Sequence, residues 1–262
     1  MRSYSPEEFK YLKGLREEIV GAHVQCAGKG YLEGGACTCS KVYSYIKDLT
    51  SASIPRTYWT FKLAELNVDE AHKRFLKMYF ENFENASMQA LGFIFLGPNG
   101  VGKTAMMCEV GKEALVRGMG VFYTTAQKYI SLSYRDDRLK SILLGPDIQV
   151  ILLDEVDKAY IKEGSDFVPK TLEELLRSVI SAGRIVIAAS NEDEQGLESM
   201  FGQSTLSMIK RHLKIVPVTG EDFSEGRQDN WTKMLKDKVD WFHPNIVKMA
   251  ERRWEAMGEG VR

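Results

Sequence analysis

The chain has 262 residues, of which 44% are hydrophobic and 27% charged, and its formal net charge is −1. That length allows one large domain or one domain with appendages, with apolar material enough for a sizeable core. The near-zero charge excludes a global attraction to nucleic acid, so any such contact needs a local basic patch, and the lack of an apolar run of ~18 residues or of a signal-peptide pattern predicts a cytoplasmic protein that avoids the membrane.

Ser5-Pro6-Glu7-Glu8 reads as a helix start. Ser5 is the N-cap, Pro6 sits in the first turn and Glu8 closes a capping box. Phe9, Leu12, Leu15 and Ile19 then mark one apolar face, suited to packing within its own domain or to a partner. Residues 21–40 are glycine-rich and hold three of the four cysteines. Their spacing does not suggest a secreted disulfide framework. His23-x2-Cys26-x10-Cys37-x-Cys39 instead supplies four ligands within seventeen residues. Zn²⁺ accepts such a Cys₃His set, and metal binding would stand in for a core in so small a segment. The competing reading is reduced, unliganded cysteines. Cys108, by contrast, reads as a core residue.

Residues 51–66 form a boundary. Serines and Pro55 signal a break, and the aromatic residues after them suggest docking. Residues 68–88 look helical. From residue 91 strands and helices alternate. Strands are predicted at 91–96, 121–125, 148–153, 184–189 and 214–218, with helices at 103–117, 126–142, 170–182 and 204–213. That alternation implies an α/β fold with a parallel sheet covered on both faces. Val150-Ile151-Leu152-Leu153 is apolar throughout, as a central buried strand should be.

Gly97-Pro98-Asn99-Gly100-Val101-Gly102-Lys103-Thr104 fits G-x-x-x-x-G-K-[ST] between a strand-like and a helix-like run. That is the setting in which a phosphate-binding loop works. Backbone N–H groups converge on an anion, Lys103 reaches the β- and γ-phosphates, and Thr104 offers a hydroxyl to Mg²⁺. About fifty residues later the strand 150–153 ends in Asp154-Glu155. In a parallel sheet this end lies beside the loop. Asp154 is thereby assigned to the Mg²⁺ sphere with Thr104, and Glu155 to polarising the attacking water. Asp157 reads as a solvated loop carboxylate. The strand-like run from Ile185 ends in Ser190-Asn191, and the Asn191 amide would sense the γ-phosphate or the lytic water. Arg211 precedes the last strand and is placed to reach a neighbour's γ-phosphate, with Lys210 as the competing cation. Arg227 is a weaker candidate for a contact in cis.

Lys128, Arg135, Arg138 and Lys140 are interleaved with Tyr129 and Tyr134. Cations for the backbone and aromatic rings for bases suit single-stranded DNA. A solvated amphipathic helix is the alternative. The tail carries Trp231, Trp241 and Trp254 around Pro244 and reads as two helices.

The phosphate loop, the Leu-Leu-Asp-Glu strand end, Ser190-Asn191, the Arg211 region and Thr219-Gly220-Glu221-Asp222-Phe223 together resemble the AAA+ ATPases. Within them the chain resembles the DnaC/DnaI helicase loaders and the related IstB transposition helpers, over roughly residues 21–227. The cysteine pattern and the segment Ile54–Phe61 carry the narrower likeness. The loaders have C-x2-C followed by C-x-C with a Gly-Tyr between, matched by Gly30-Tyr31, although His23 stands at the first position. The resemblance implies a five-stranded P-loop core of the ASCE type, a reduced or absent lid, ATP held between subunits of a ring or spiral, and an arginine finger supplied in trans. It also likens the segment around Lys128 to a pore-lining insertion. The resulting division is a partner-binding N-terminal module at 1–50, a linker and docking helix at 51–90, the ATPase core at 91–227 and a helical tail at 228–262. The implied function is an ATP-hydrolysing loader that engages a hexameric replicative helicase on single-stranded DNA. The alternatives are an IstB-like helper that works on duplex DNA with a transposase, a small-molecule P-loop kinase, and a nucleotide-gated adaptor.

Overall fold

The computed structural model describes residues 6–66, 68–133, 138–158, 167–220 and 239–258. Helix α1 (Pro6–Arg16) runs into a wide turn at 17–21. A short hairpin follows, β1 (Tyr31–Leu32) against β2 (Gly35–Ala36), then helix α2 (Thr38–Ser51). Helices α3 (Glu70–Glu81) and α4 (Phe83–Met88) precede the main sheet. Its strands are β3 (Gly92–Leu96), β4 (Val121–Thr125), β5 (Val150–Asp154), β6 (Ile185–Ser190) and β7 (Leu213–Pro217). Between them lie α5 (Lys103–Val116), α6 (Ala126–Ser133), α7 (Arg138–Leu144), α8 (Phe167–Ser181) and α9 (Glu194–His212). Helix α10 (Pro244–Ala256) lies in the tail.

All five strands of the main sheet are parallel, in the order β4-β5-β6-β3-β7. The order puts β6 between the strand that feeds the phosphate loop and the strand that ends in Asp154. Asn191, just past β6, is thereby carried to the middle of the site. The three central strands, β5, β6 and β3, are buried on both faces, and their alternation sorts the core in two. Phe93, Phe95, Leu152, Ile187 and Ala189 face one cluster, shared with α2, α5 and α10. Ile94, Leu96, Ile151, Leu153, Val186 and Ala188 face the other, shared with α6, α8 and α9. This is the period-2 geometry of a doubly covered sheet.

Several expected elements change at their edges. The helix expected at 68–88 breaks at Asn82 into α3 and α4. The last helix starts ten residues earlier than expected, capped by Asp193, and it kinks at Gly202, whose φ of 78° is not helical. The span expected as one helix at 126–142 holds α6 and α7. Residues 134–137 between them, Arg227 and Trp231 lie outside the described residues, as does the expected cap Ser5. On α1, Leu12, Leu15 and Ile19 are buried, but Phe9 is 65% exposed and leaves the predicted face.

The N-terminal segment does not stand apart. Cys26, Cys37, Cys39, Val42, Tyr45 and Leu49 belong to the same buried cluster as α5 and α10. The docking segment explains why. Arg56 lies over the rings of Tyr11, Trp59 and Trp241, 5.3–5.6 Å from each centroid. A guanidinium shared by three rings ties α1, the linker and the tail together. Tyr58 and Phe61 accept hydrogen bonds from Lys112 of α5 through their carbonyls. Trp241 donates to Glu18 at 2.7 Å, and Arg252 forms a two-pronged pair with Glu113. Among the described residues, no helix is long and apolar enough to cross a membrane.

Candidate nucleotide site and metal centre

The phosphate loop leaves β3 at the carboxyl end of the sheet. Gly97 passes so close to the Val218 carbonyl that a Cβ there would collide with it. Gly102 has φ +90°, a left-handed conformation that L side chains rarely adopt, and it opens α5. The glycines thus let the loop curl against its own sheet and still start a helix. The Lys103 ammonium donates to the Gly97 and Pro98 carbonyls at 2.6 and 2.5 Å, and to Asn191 Oδ1 at 3.0 Å. Burial lowers the Lys103 pKa, opposed by the charges of Asp157 and Asp154.

Asp154 ends β5 as a buried carboxylate. Its Oδ2 accepts from Thr104 Oγ1 and from the Tyr123 hydroxyl, both at 2.9 Å. Its Oδ1 accepts the Glu155 N–H. Burial raises its pKa, against the pull of the Tyr123 and Thr104 hydrogen bonds. Thr104 and Asp154, expected as partners around Mg²⁺, are therefore adjacent. Their oxygens suit a hard cation that prefers oxygen ligands and retains several waters. Tyr123 is a third member that sequence reasoning missed. It sits two residues before the end of β4, directly across from Leu152 in the register, and a strand pattern read one strand at a time does not reveal that neighbour.

Glu155 follows Asp154 with φ +52°, in the left-handed region. Such a conformation at a non-glycine residue costs energy and concentrates at functional sites. Its carboxylate pairs with Lys158 at 2.5 Å, both side chains remaining partly exposed. Glu155 can thus meet water, while the buried Asp154 beside it cannot do so freely.

Asn191 departs from the expectation in one respect. Its backbone N–H and its Nδ2 both donate to the Asp157 carboxylate, at 2.7 and 2.8 Å. One N–H of its amide remains for a ligand. Asp157 is therefore not the solvated loop carboxylate expected from sequence. Burial would raise its pKa, but the hydrogen bonds from Asn191 and Ser190 outweigh that, and the net shift is downward. A chain of contacts runs from Asp157 through Asn191 to Lys103. Replacing Asp157 by Ala should release Asn191 and slow ATP turnover by about 10–100-fold, the scale of a small misplacement. ATP affinity should stay nearly unchanged. Equal losses in affinity and turnover would show Asp157 to be merely structural.

Arg211 is exposed at the opposite end of the sheet. Leu213 pairs with Gly92 at the start of β3, whereas the phosphate loop follows Leu96 at its end. At about 3.3 Å per residue, Arg211 lies some 15–20 Å from its own loop. It lines a basic cavity of about 460 Å³ with Arg177, Arg184 and His212. Lys210, its competitor, is paired with Glu194.

The expected DNA residues fare unevenly. Lys128 is exposed on α6. Tyr129 is only 3% exposed and packs into the core beneath the sheet, so its ring cannot stack on a base. The helical period that places Lys128 outward turns its neighbour inward. Arg135 lies outside the described residues. Arg138 begins α7, and its side chain is not described.

The second cluster is in the N-terminal segment. The ligand atoms of His23, Cys26, Cys37 and Cys39 all lie within 4.8 Å of one another. Cys26 Sγ is 3.5 Å from Cys39 Sγ and 3.6 Å from His23 Nδ1, and Cys37 Sγ is 3.5 Å from that nitrogen. Tetrahedral zinc–thiolate bonds place sulfur atoms about 3.8 Å apart. The donor set and its spacing fit a closed structural zinc site. The Gly30 N–H donates to Cys26 Sγ at 3.3 Å, an outer contact that would help stabilise a thiolate. Phe242 stacks on the His23 ring at 5.2 Å.

The sheet order, the loop and the strand-end carboxylates define a P-loop nucleotide-binding ATPase core. Residues 93–208 match the family model of the ATPase family associated with various cellular activities (AAA), and the chain carries an AAA ATPase domain. A protein of Geobacillus stearothermophilus named as an ATP-binding protein of insertion sequence IS5376 is 25% identical over 137 residues, 50% of this chain and 54% of that protein. The chain thus spans about half the length of that curated relative. The crystal structure of the DnaC helicase loader superposes with a TM-score of 0.52 at 17% identity, covering 63% of this chain and all of that one. The AMPPCP-bound DnaA of Aquifex aeolicus superposes with a TM-score of 0.51 at 17% identity, covering 79% of this chain and 68% of that one. At these identities the solved structures share the fold.

Proposed function

We propose that this chain binds ATP with Mg²⁺, hydrolyses it, and acts as a cytoplasmic loader that engages a ring-shaped replicative helicase and assists its placement on single-stranded DNA. The observation that carries the reading is the split of the site. Lys103, Thr104, Asp154, Glu155 and Asn191 converge at one end of the sheet, and Arg211 stands at the other. That separation supports a site completed by Arg211 of a second copy.

In this account the loop N–H groups and Lys103 hold the β- and γ-phosphates. Thr104 and Asp154 would hold Mg²⁺, which would supply neutralising charge to the bound phosphates. Glu155 accepts the proton of the attacking water, and Asn191 orients the γ-phosphate with its remaining N–H. Arg211 from a second copy stabilises the charge that develops in transit. Turnover per chain should therefore rise with protein concentration and again on adding single-stranded DNA. Turnover independent of both would remove the shared-site reading.

His23, Cys26, Cys37 and Cys39 are assigned a structural Zn²⁺ that stabilises the N-terminal module. Purified protein should contain one zinc per chain by elemental analysis. Stripping the metal should lower the melting temperature and disorder the module, since ligand binding adds directly to folding free energy. Zinc-free protein with unchanged melting would leave only reduced cysteines.

The likeness to the insertion-sequence protein supports a second reading, a helper that works with a transposase on duplex DNA. Preference for duplex over single strand at equal salt would favour it. The AAA domain argues against the kinase alternative.

A further inference from the structure

A cavity of about 530 Å³ opens between the linker, α3, the second half of α5 and α10. It is separate from the phosphate loop. Its floor on α5, Glu109 to Glu113, lies about 9–15 Å along the helix from Lys103, at 1.5 Å per residue. From this cavity we infer a second ligand site, one that takes a nucleoside phosphate, either free or as a unit of a DNA strand.

Its walls are held by buried charged groups. Lys112 is 2% exposed, pairs with Glu109, and donates to the Tyr58 and Phe61 carbonyls. Glu109 also accepts the Leu63 N–H at 3.2 Å. Glu113 is 5% exposed and is gripped by Arg117 and Arg252. Asn245 is 4% exposed and donates to the Thr60 carbonyl at 2.6 Å. Buried charges are costly unless paired, and here their pairs and hydrogen bonds hold three separate segments, the linker, α5 and α10, around one space. The cavity is thus built in advance, and its volume is within the usual range for small-ligand sites.

The lining decides the ligand's chemistry. Seven lysine or arginine residues face three glutamates around the cavity, an excess of four positive charges. Lys73 is paired with Glu70, Lys112 with Glu109, and Arg252 with Glu113. Of that excess, Arg74 and Lys77 on α3 and Lys248 on α10 stand exposed on the rim. Phe61 and Phe80 give partly exposed aromatic surface within the same walls. A cationic rim over aromatic faces suits an anion that carries a flat ring. Phosphate on a nucleoside meets both requirements, and neither an inorganic anion nor an uncharged aromatic meets more than one. The α10 wall also links the site to the metal module, because Arg253, next to Arg252, pairs with Asp48 of α2. This inference goes beyond the ATPase reading and does not depend on it.

The test is equilibrium binding of N-methylanthraniloyl-ADP to the full chain. Wild type should bind two per chain. Lys103→Ala, which disables the phosphate loop, should still bind one. Adding Lys77→Glu and Lys248→Glu to that variant should weaken the remaining site at least tenfold, and adding Phe80→Ala instead should weaken it without changing the charge. These two lysines are exposed, so the fold should survive, and melting curves check this. Competition by a thymidine oligonucleotide assigns the site to a strand, and the absence of competition assigns it to a free nucleotide. One probe per wild-type chain and none on Lys103→Ala would overturn the inference while leaving the phosphate loop intact. Binding to Lys103→Ala that ignores the rim substitutions would overturn it as well.

Discussion

Replacing Glu155 by Gln is expected to leave ATP binding intact and to cut hydrolysis by about 10²–10⁴-fold, the range for losing a general base. The expectation rests on position. Asp154 is buried and spends its oxygens on Thr104, Tyr123 and a backbone N–H. Glu155 is the next residue, turned out by a left-handed φ toward solvent. Its amide analogue keeps the size and the hydrogen-bonding reach but cannot take a proton. The rival view is that Glu155 serves only its ion pair with Lys158, which at this exposure is worth little. In that case Glu155→Gln and Lys158→Ala would both leave turnover close to wild type. Single-turnover hydrolysis, measured beside nucleotide affinity, separates the two.

Arg211→Ala should lower turnover of the assembled protein by about 10³-fold or more, as loss of an arginine finger does. ATP affinity of the dilute chain should not change, because Arg211 lies at the far end of its own sheet. Lys210→Ala should cost little, since it removes only the exposed pair with Glu194. A mixing experiment gives the clearest readout. Arg211→Ala and Lys103→Ala should each be inactive alone, yet regain activity together. The Lys103→Ala copy keeps its arginine and can serve the intact loop of the other. An arginine that worked in cis, or only in folding, would leave the mixture as inactive as its parts.

Much of this site was legible in the sequence because its parts are local. The loop is eight consecutive residues with fixed chemistry, and the strand that ends in Asp154-Glu155 is apolar up to that point. The position of every main strand followed from buried runs, to within two residues at either end. What the sequence concealed depends on partners distant along the chain. Asp157 reads as a loop acid until the sheet order sets it against Asn191, thirty-four residues away. Tyr123 looks like an ordinary strand residue until β4 pairs with β5. Tyr129 reads as a stacking ring beside Lys128, but the neighbouring helical position points into the core. Arg56 carries no motif, and its aromatic cage draws on α1, the linker and the tail. The Cys₃His cluster was visible through spacing alone, whereas its incorporation into the main core was not, since Val42, Tyr45 and Leu49 find their partners on α5 and α10.

Under the proposed function, ATP-bound copies of this chain engage a replicative helicase. The most direct test of that engagement is capture from extract of the source organism on immobilised Glu155→Gln protein, with and without Mg²⁺-ATP. The hexameric replicative helicase should be recovered only with ATP, and that recovery should be lost when Lys103→Ala is added. ATP-dependent recovery of a transposase with duplex DNA, and no helicase, would contradict it.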